Sequence, residues 1–158
     1  MLPDSPAAED RQHTVQGQPC IRLDTDQGDS ALVALHGAQV LSWTVAGRER
    51  LYLSPRAMFD GRSAIRGGIP LCFPQFNQRG PLPKHGFARN LAWQPLPAGD
   101  GHEARSSVCL QLTDCDATHS AWPERFAARL TVALSAGSLR VQLVVHNTGT
   151  TACSFTTA

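Results

Sequence analysis

Apolar residues in this chain recur at every second position in several short segments. In 129–134, Leu130, Val132 and Leu134 alternate with polar or small residues, and 139–145 follows a similar pattern. Because a period of two places alternate side chains on opposite faces of a strand, such segments predict strands with one face in a core. The predicted strands are 21–25, 31–35, 40–45, 50–53, 91–96, 107–112, 126–134, 139–145 and 153–157.

Turn residues separate these segments at short intervals. Gly28, Gly47 and Gly137 each lie in a short polar or small-residue stretch between two predicted strands, and glycine supplies the positive φ that tight hairpin turns require. No window of twelve residues carries a sustained helical stripe, and 11 Pro and 13 Gly interrupt any long helix. The pattern therefore predicts an all-β fold, an antiparallel β-sandwich.

The predicted strand 153–157 lies at the end of the chain, with no turn or polar tail after it. Proteins usually cover an unpaired strand edge, because it offers free backbone groups to other chains. We therefore expect a truncated sequence, in which this strand lacks its next partner.

Length and composition predict one compact domain or a part of one. The chain has 158 residues, 42% of them hydrophobic and 17% charged. Residues 1–18 mix polar residues without periodicity, which predicts a flexible tail, and 19–158 are assigned to the domain. The sequence has neither an apolar run of the roughly 20 residues that span a membrane nor an apolar signal core, so we expect no membrane contact and a cytoplasmic location.

Charge and cysteine content exclude several other classes. Lys and Arg number 14 against 13 Asp and Glu, and the cations are scattered, which argues against a nucleic-acid partner. The five cysteines are widely spaced without a Cys-x-x-Cys pair, so neither a disulfide framework nor structural zinc is expected. Cys72, Cys109 and Cys153 have apolar neighbours and are predicted to lie in the core.

Candidate chemistry is concentrated in the irregular segment 54–90. Arg66 follows an apolar residue and precedes two glycines, and Lys84, His85 and Arg89 cluster further on, with no carboxylate between Arg66 and Arg89. Arginine binds phosphate or carboxylate in bidentate fashion and lysine adds a point charge, so this set suits an anionic ligand. Taken singly, each cation is more often a solvated surface residue, and it is their concentration around two glycine-containing turns that favours a site.

Several motifs in this region resemble one family. In chain order they are GAQVLSW (37–43), LSP (53–55), IRGGIP (65–70), FPQF (73–76) and HGFAR (85–89), followed by WP (122–123) and NTG (147–149). This series resembles the glucose-6-phosphate 1-epimerases, or D-hexose-6-phosphate mutarotases, of the aldose 1-epimerase superfamily. The similarity runs from about Leu32 to the last residue.

The resemblance implies an antiparallel β-supersandwich, like that of galactose mutarotase, and interconversion of the α and β anomers of a hexose 6-phosphate. Arg66 and Arg89 match substrate-binding arginines of the family. Lys84 stands where relatives often have Gln. This change to Lys keeps a hydrogen-bond donor and adds a positive charge. His85 matches the His of a Gln-His-Gly motif and resembles a sugar-contacting His of the superfamily.

The family's general acid and general base have no counterpart in this chain. In relatives, the acid is a His directly after a strand resembling 153–158 and the base is a distant Glu, so we expect both beyond this sequence and no catalytic residue within it. The remaining candidates, His36, His102, His119 and His146, have no carboxylate at a recognisable motif spacing. Because proton transfer suffices for mutarotation, no metal or cofactor is expected. The alternative is a non-catalytic β-sandwich that binds sugar phosphate or carbohydrate; the oligomeric state stays open.

Overall fold

The computed structural model describes residues 11–97 and 102–158, and the side chains of residues 102 and 103 lie outside this description. The elements of the described chain are β1 (Gln12–Val15), β2 (Gln18–Asp24), β3 (Ser30–Ala34), β4 (Val40–Val45), β5 (Arg48–Glu49), a 3-10 helix (Ala88–Asn90), β6 (Gln94–Pro95), α1 (His102–Ser106), β7 (Ser107–Thr113), α2 (Asp116–His119), β8 (Phe126–Ser135) and β9 (Ser138–Asn147).

Two antiparallel sheets follow the chain order, β1-β2-β3-β4-β5 and β6-β7-β8-β9. One buried cluster draws on both sheets, with Val33 from the first and Leu110 and Val132 from the second. Along β8, every second residue from Phe126 to Leu134 is buried, as the alternation of apolar residues predicts. Burial of one such side chain contributes roughly 1.5–3 kcal/mol, so this row stabilises the sandwich. The predicted all-β, antiparallel fold is confirmed.

The predicted tail of residues 1–18 is wrong in its last part. Residues 12–15 form β1, and Val15 pairs with Gln18 across a two-residue turn. In that turn Gln16 and Gly17 have φ angles of 47° and 84°, the positive values that fit the twist of a hairpin. Val15 packs against a second buried cluster that contains Cys20, so the strand is held by both pairing and burial. Residues 1–10 of the predicted tail lie outside the described residues.

Of the predicted strands, 50–53 is not formed and 91–96 is formed only in part. The segment 50–53 is not a ladder strand, because β5 ends at Glu49, whose carboxylate accepts the backbone N–H groups of Trp43 and Leu51, each at 2.9 Å. The segment 91–96 contributes only the two residues of β6. Residues 50–53 therefore lead out of the first sheet into the irregular segment 54–90, and residues 91–93 lead from that segment to β6.

The predicted strand 153–157 is not formed either. This segment is extended instead against residues 72–74: the N–H of Cys72 donates to the carbonyl of Ala158 at 2.8 Å, and the N–H of Thr156 donates to Pro74 at 3.0 Å. The last residues therefore pair with the segment that carries the candidate chemistry.

The buried carboxylate of Asp29 connects the two sheets. It lies in the β2–β3 turn and accepts the N–H of Ala46, in the β4–β5 turn, at 3.2 Å. It also accepts the N–H of Gly137, in the β8–β9 turn, at 2.7 Å. Hydrogen bonds to a charged acceptor are stronger than neutral ones, so this group fixes three hairpin turns relative to one another.

Cysteine burial only partly follows the prediction. Cys72 is buried, but Cys109 and Cys153 are half-buried, whereas Cys20 is fully enclosed. Within the described residues, no helix has the length and apolar character to cross a membrane. The described side chains also form no cluster of three or more His, Cys, Asp and Glu suited to a metal ion.

Candidate functional site

Arg66 lies on a loop that is packed tightly onto strand β4. Gly67 pairs with Leu53 in a β-bridge, and Ile69 pairs with Val40 in another. The neighbouring Gly68 has a φ of 62°, and a Cβ atom there would lie 2.1 Å from the carbonyl oxygen of Val40. The backbone beside Arg66 is thus held in a conformation that favours glycine, while the Arg66 side chain is exposed.

Gln39 fixes the same loop through hydrogen bonds of its buried side chain. Its fully buried side chain donates through Nε2 to the carbonyl of Ile65 at 2.9 Å and also to that of Gly67, the two residues that flank Arg66. Two positions earlier, Gly37 donates its N–H to Leu91 at 2.7 Å and lies against the backbone of Arg89. The segment 37–40 therefore anchors both the loop that carries Arg66 and the backbone at Arg89.

Arg89 lies in the 3-10 helix, whose N-terminal end is bound to the core. The N–H groups of Phe87 and Ala88 both donate to the carbonyl of Phe73 at 3.1 Å. The buried indole of Trp93 donates to the carbonyl of Ala88 at 3.0 Å. The guanidinium of Arg89 is partly exposed and donates through Nη2 to the carbonyl of Lys84 at 3.0 Å. This bond places Lys84 and Arg89 on one surface, with His85 between them in the loop.

His85 is positioned by its own backbone conformation and by the loop before it. Its φ is 70°, an uncommon value for a residue other than glycine. Its backbone N–H donates to the carbonyl of Asn77 at 3.0 Å, and its Nδ1 accepts the N–H of Asn77 at 3.1 Å. Partial burial and the charges of Arg89 and Lys84 lower the pKa of His85, because all three disfavour the imidazolium form. These surroundings therefore favour the neutral imidazole.

Cys72 contacts the same imidazole, and sequence reasoning assigned it only to the core. Its Sγ lies 3.2 Å from Nδ1 of His85. Burial raises the pKa of the Cys72 thiol, against a smaller opposing effect of Arg89. A protonated thiol is a poor nucleophile, so the arrangement does not resemble an activated Cys–His pair. No sequence signal identifies this role of Cys72, because the contact depends on the Phe73–Gly86 bridge, which no local pattern indicates.

The four predicted site residues are thus brought together unequally. Lys84, His85 and Arg89 form one surface. Arg66 has no described contact with them; its loop and the backbone at Arg89 are both anchored by segment 37–40. None of the three permanent cations has a carboxylate partner within the described ranges, where the Arg22–Asp24 ion pair and the His119–Asp114 contact involve other residues. The surface consequently carries unneutralised positive charge, which suits an anion.

A cavity of about 280 Å³ lies next to this loop but contains none of the four residues. Gln75, Trp122 and Phe155 are among the residues that line it. The buried Gln75 side chain is occupied within the loop: its Oε1 accepts the N–H of Leu82 at 2.9 Å and its Nε2 donates to the carbonyl of Asn77 at 2.9 Å. Gln75 therefore stabilises the turn that presents Asn77 to His85.

Two other histidines, His36 and His119, lie in structural positions. His36 is buried, with Nε2 2.9 Å from the carbonyl of Ser63. His119 Nε2 lies 2.9 Å from Asp114, a pair that sequence spacing did not reveal. Asp114 also accepts the N–H of Phe126 at 2.9 Å, so the pair closes the connection between β7 and β8. His146 is exposed on β9, and the side chain of His102 lies outside the described residues.

Comparison with known proteins gives relatives of consistent kind. A protein of Cenchrus ciliaris named "Putative glucose-6-phosphate 1-epimerase" is 41% identical over 128 residues, which cover 76% of this chain and 38% of the relative. A protein of Escherichia coli K12 with the same name is 45% identical over 102 residues, covering 61% of this chain and 33% of the relative. The chain thus spans between a third and two fifths of the length of these curated relatives.

Solved structures agree with the fold. The crystal structure of a "putative mutarotase" from Salmonella typhimurium superposes with a TM-score of 0.73 at 32% identity, over 85% of this chain and 46% of that one. The Slr1438 protein from Synechocystis sp. PCC 6803 superposes with a TM-score of 0.71 at 30% identity, over 87% and 53%. The profile of the Aldose 1-epimerase family matches residues 19–158. With this match and the sandwich already described, the chain belongs to the aldose 1-epimerase family.

Proposed function

We propose that this chain supplies the substrate-binding side of a cytoplasmic enzyme that interconverts the α and β anomers of hexose 6-phosphates. The observation that carries the proposal is the set of three cations, Arg66, Lys84 and Arg89, with no carboxylate partner in the described parts of the chain. A phosphate monoester carries a charge of about −1.5 to −2 at neutral pH, and it offers the oxygens that guanidinium groups bind in bidentate fashion. The names of the two curated relatives support this substrate class.

The anomers interconvert when a general acid protonates the ring oxygen and a general base removes the proton of the anomeric hydroxyl. The ring opens, the carbonyl turns, and the ring closes on either face. On this proposal Arg66, Lys84 and Arg89 hold the 6-phosphate and His85 donates a hydrogen bond to the sugar. The general acid and base are assigned, from the family resemblance, to residues outside these 158.

Alanine substitutions in the full-length product of the same reading frame test the phosphate assignment. Arg66→Ala and Arg89→Ala each remove charge-assisted hydrogen bonds of roughly 1.5–3 kcal/mol, so anomer exchange of glucose 6-phosphate should be about tenfold to hundredfold less efficient. Exchange NMR measures this rate against a reaction without protein. Lys84→Gln should have the mildest effect, because a donor remains.

Free glucose and a distant arginine provide the controls. Exchange of glucose, which has no phosphate, should hardly change in these variants. Arg48→Ala, an exposed arginine at the edge strand β5, should leave both rates unchanged. Equal losses on glucose and glucose 6-phosphate would contradict a phosphate role for the arginines.

The 158-residue chain alone tests the assignment of the acid and base. We expect it to give no anomer exchange above the uncatalysed rate. A protein-dependent rate that is abolished by His85→Ala would contradict this assignment. A full-length protein that binds glucose 6-phosphate without accelerating exchange would instead indicate the non-catalytic binding module.

A further inference from the structure

Hydrogen bonds run in both directions between His85 and Asn77. The backbone N–H of His85 donates to the carbonyl of Asn77 at 3.0 Å, and the backbone N–H of Asn77 donates to Nδ1 of His85 at 3.1 Å. A backbone N–H can only donate. Nδ1 must therefore be an acceptor, and in a neutral imidazole the proton then lies on Nε2.

The thiol of Cys72 meets the same nitrogen. Sγ lies 3.2 Å from Nδ1, and because Nδ1 carries no proton, the thiol must supply the hydrogen of this contact. Burial keeps Cys72 in the protonated form that can do so, because it raises the pKa of the thiol. The ring of Phe76 also packs against the imidazole, with centroids 5.6 Å apart. The ring is held by one aromatic contact and by two donors that share the single lone pair of Nδ1.

We propose that Cys72 is a positioning residue that, together with the backbone N–H of Asn77, fixes His85 as the neutral Nε2–H tautomer. The remaining ring nitrogen, Nε2, then offers a hydrogen-bond donor of fixed direction, and Nδ1 is not free to accept a proton from a ligand. The identity of the group that receives this donor, a sugar oxygen, rests on the proposed function. The tautomer itself does not.

The electrostatic surroundings act in the same direction. Among the described residues, the charged or titratable groups that act on the imidazole are Cys72, Lys84 and Arg89. The two cations disfavour a positive ring, and no carboxylate in the described residues bonds to it. Protonation of Nδ1 would also turn the N–H of Asn77 from a partner into an opposing donor. Acid should therefore break the His85–Asn77 bond and loosen the 77–85 loop.

Long-range ¹H–¹⁵N NMR of the histidine-labelled chain tests the proposal, with the His85 signal assigned by its loss in His85→Asn. We expect the Nε2–H tautomer in the free protein. Cys72→Ala should raise the titration midpoint of His85, because one donor to its neutral form is lost. Cys72→Ser should restore the midpoint, since a hydroxyl also donates. Cys20→Ala, a buried cysteine in the other cluster, should leave His85 unchanged.

An Nδ1–H tautomer in the unsubstituted protein would overturn the proposal, and this result does not depend on any variant folding. An unchanged midpoint in a folded Cys72→Ala protein would overturn the role of Cys72. Addition of glucose 6-phosphate to the full-length protein should then shift the Nε2 signal and its proton. The correct tautomer without any response to glucose 6-phosphate would support the positioning and count against the proposed function.

Discussion

Replacing Gly68 by alanine is expected to damage the loop that carries Arg66 for a steric reason that can be separated from backbone strain. The new Cβ atom would lie 2.1 Å from the carbonyl oxygen of Val40 and 3.1 Å from its carbonyl carbon. Val40 is fully buried in β4 and accepts the N–H of Ile69 at 2.9 Å. Neither side of this contact is the flexible end of a side chain, so backbone must move.

Two effects contribute to the cost. A non-glycine residue in the left-handed region costs roughly 1–2 kcal/mol. Overpacking that shifts backbone adds roughly 1–3 kcal/mol. Gly47, in the β4–β5 turn, has a similar φ of 73° but nothing within 4 Å of the position of a Cβ atom. Gly47→Ala therefore carries the first cost alone, and both variants share the entropic stabilisation of about 0.4–1 kcal/mol that alanine gives by restricting the unfolded chain.

Thermal unfolding followed by far-UV circular dichroism compares the two variants directly. The difference of roughly 1–3 kcal/mol corresponds to a Tm about 2–12 °C lower for Gly68→Ala than for Gly47→Ala in a chain of this size. Phosphate affinity, measured by calorimetry on the full-length protein, should fall only in Gly68→Ala. Equal Tm values for the two variants would refute the argument that close approach to Val40 is what requires glycine.

Two further predictions concern carboxylates. Asp29→Ala should lower the free energy of unfolding, measured by urea denaturation, by roughly 2–3 kcal/mol, which is less than two full charge-assisted bonds because the exposed turn N–H groups can bind water. Asp29→Asn retains one acceptor and should cost about half as much, and equal costs for the two variants would contradict the role of both bonds. Hydrogen bonds from Ser63 and Arg62 lower the pKa of Asp60 to about 2 from 3.8, so the contribution of Asp60 to loop stability is full above about pH 4 and is lost as the pH falls through about 2. Hydrogen exchange of the 60–63 amides should show this loss in the unsubstituted chain and not in Asp60→Asn. The same pH dependence in both proteins would refute the prediction.

The fold was predictable wherever the governing interactions are local. Strands β7, β8 and β9 follow from a period of two and a turn glycine, and Gly137 has the expected positive φ of 65°. The strand β1 was missed because its polar composition suggests a tail, whereas its stability comes from the Gln16–Gly17 turn and from the pairing with β2. Composition describes the isolated segment and contains no information about its partner.

The site divides along the same line. Lys84, His85 and Arg89 are neighbours in sequence, so their common surface could be predicted, although their roles stay predictions. The contact between Cys72 and His85 could not, because it depends on the positive φ of Asn77, 53°, and on how an irregular loop folds back. Gln39, a buried polar residue in an apolar run, was a detectable signal that some backbone group needed a partner.

The pairing of residues 72–74 with 156–158 also bears on the order of folding. Closing a loop of some eighty residues costs about 4 kcal/mol of chain entropy, whereas the β8–β9 hairpin closes over two residues. Contacts of such long sequence separation form late, after the local hairpins. During synthesis, residues 72–74 cannot form this pairing before residues 156–158 have left the ribosome. The hairpins of the sandwich should therefore become protected from proteolysis before the loop that carries His85 and Arg89 does.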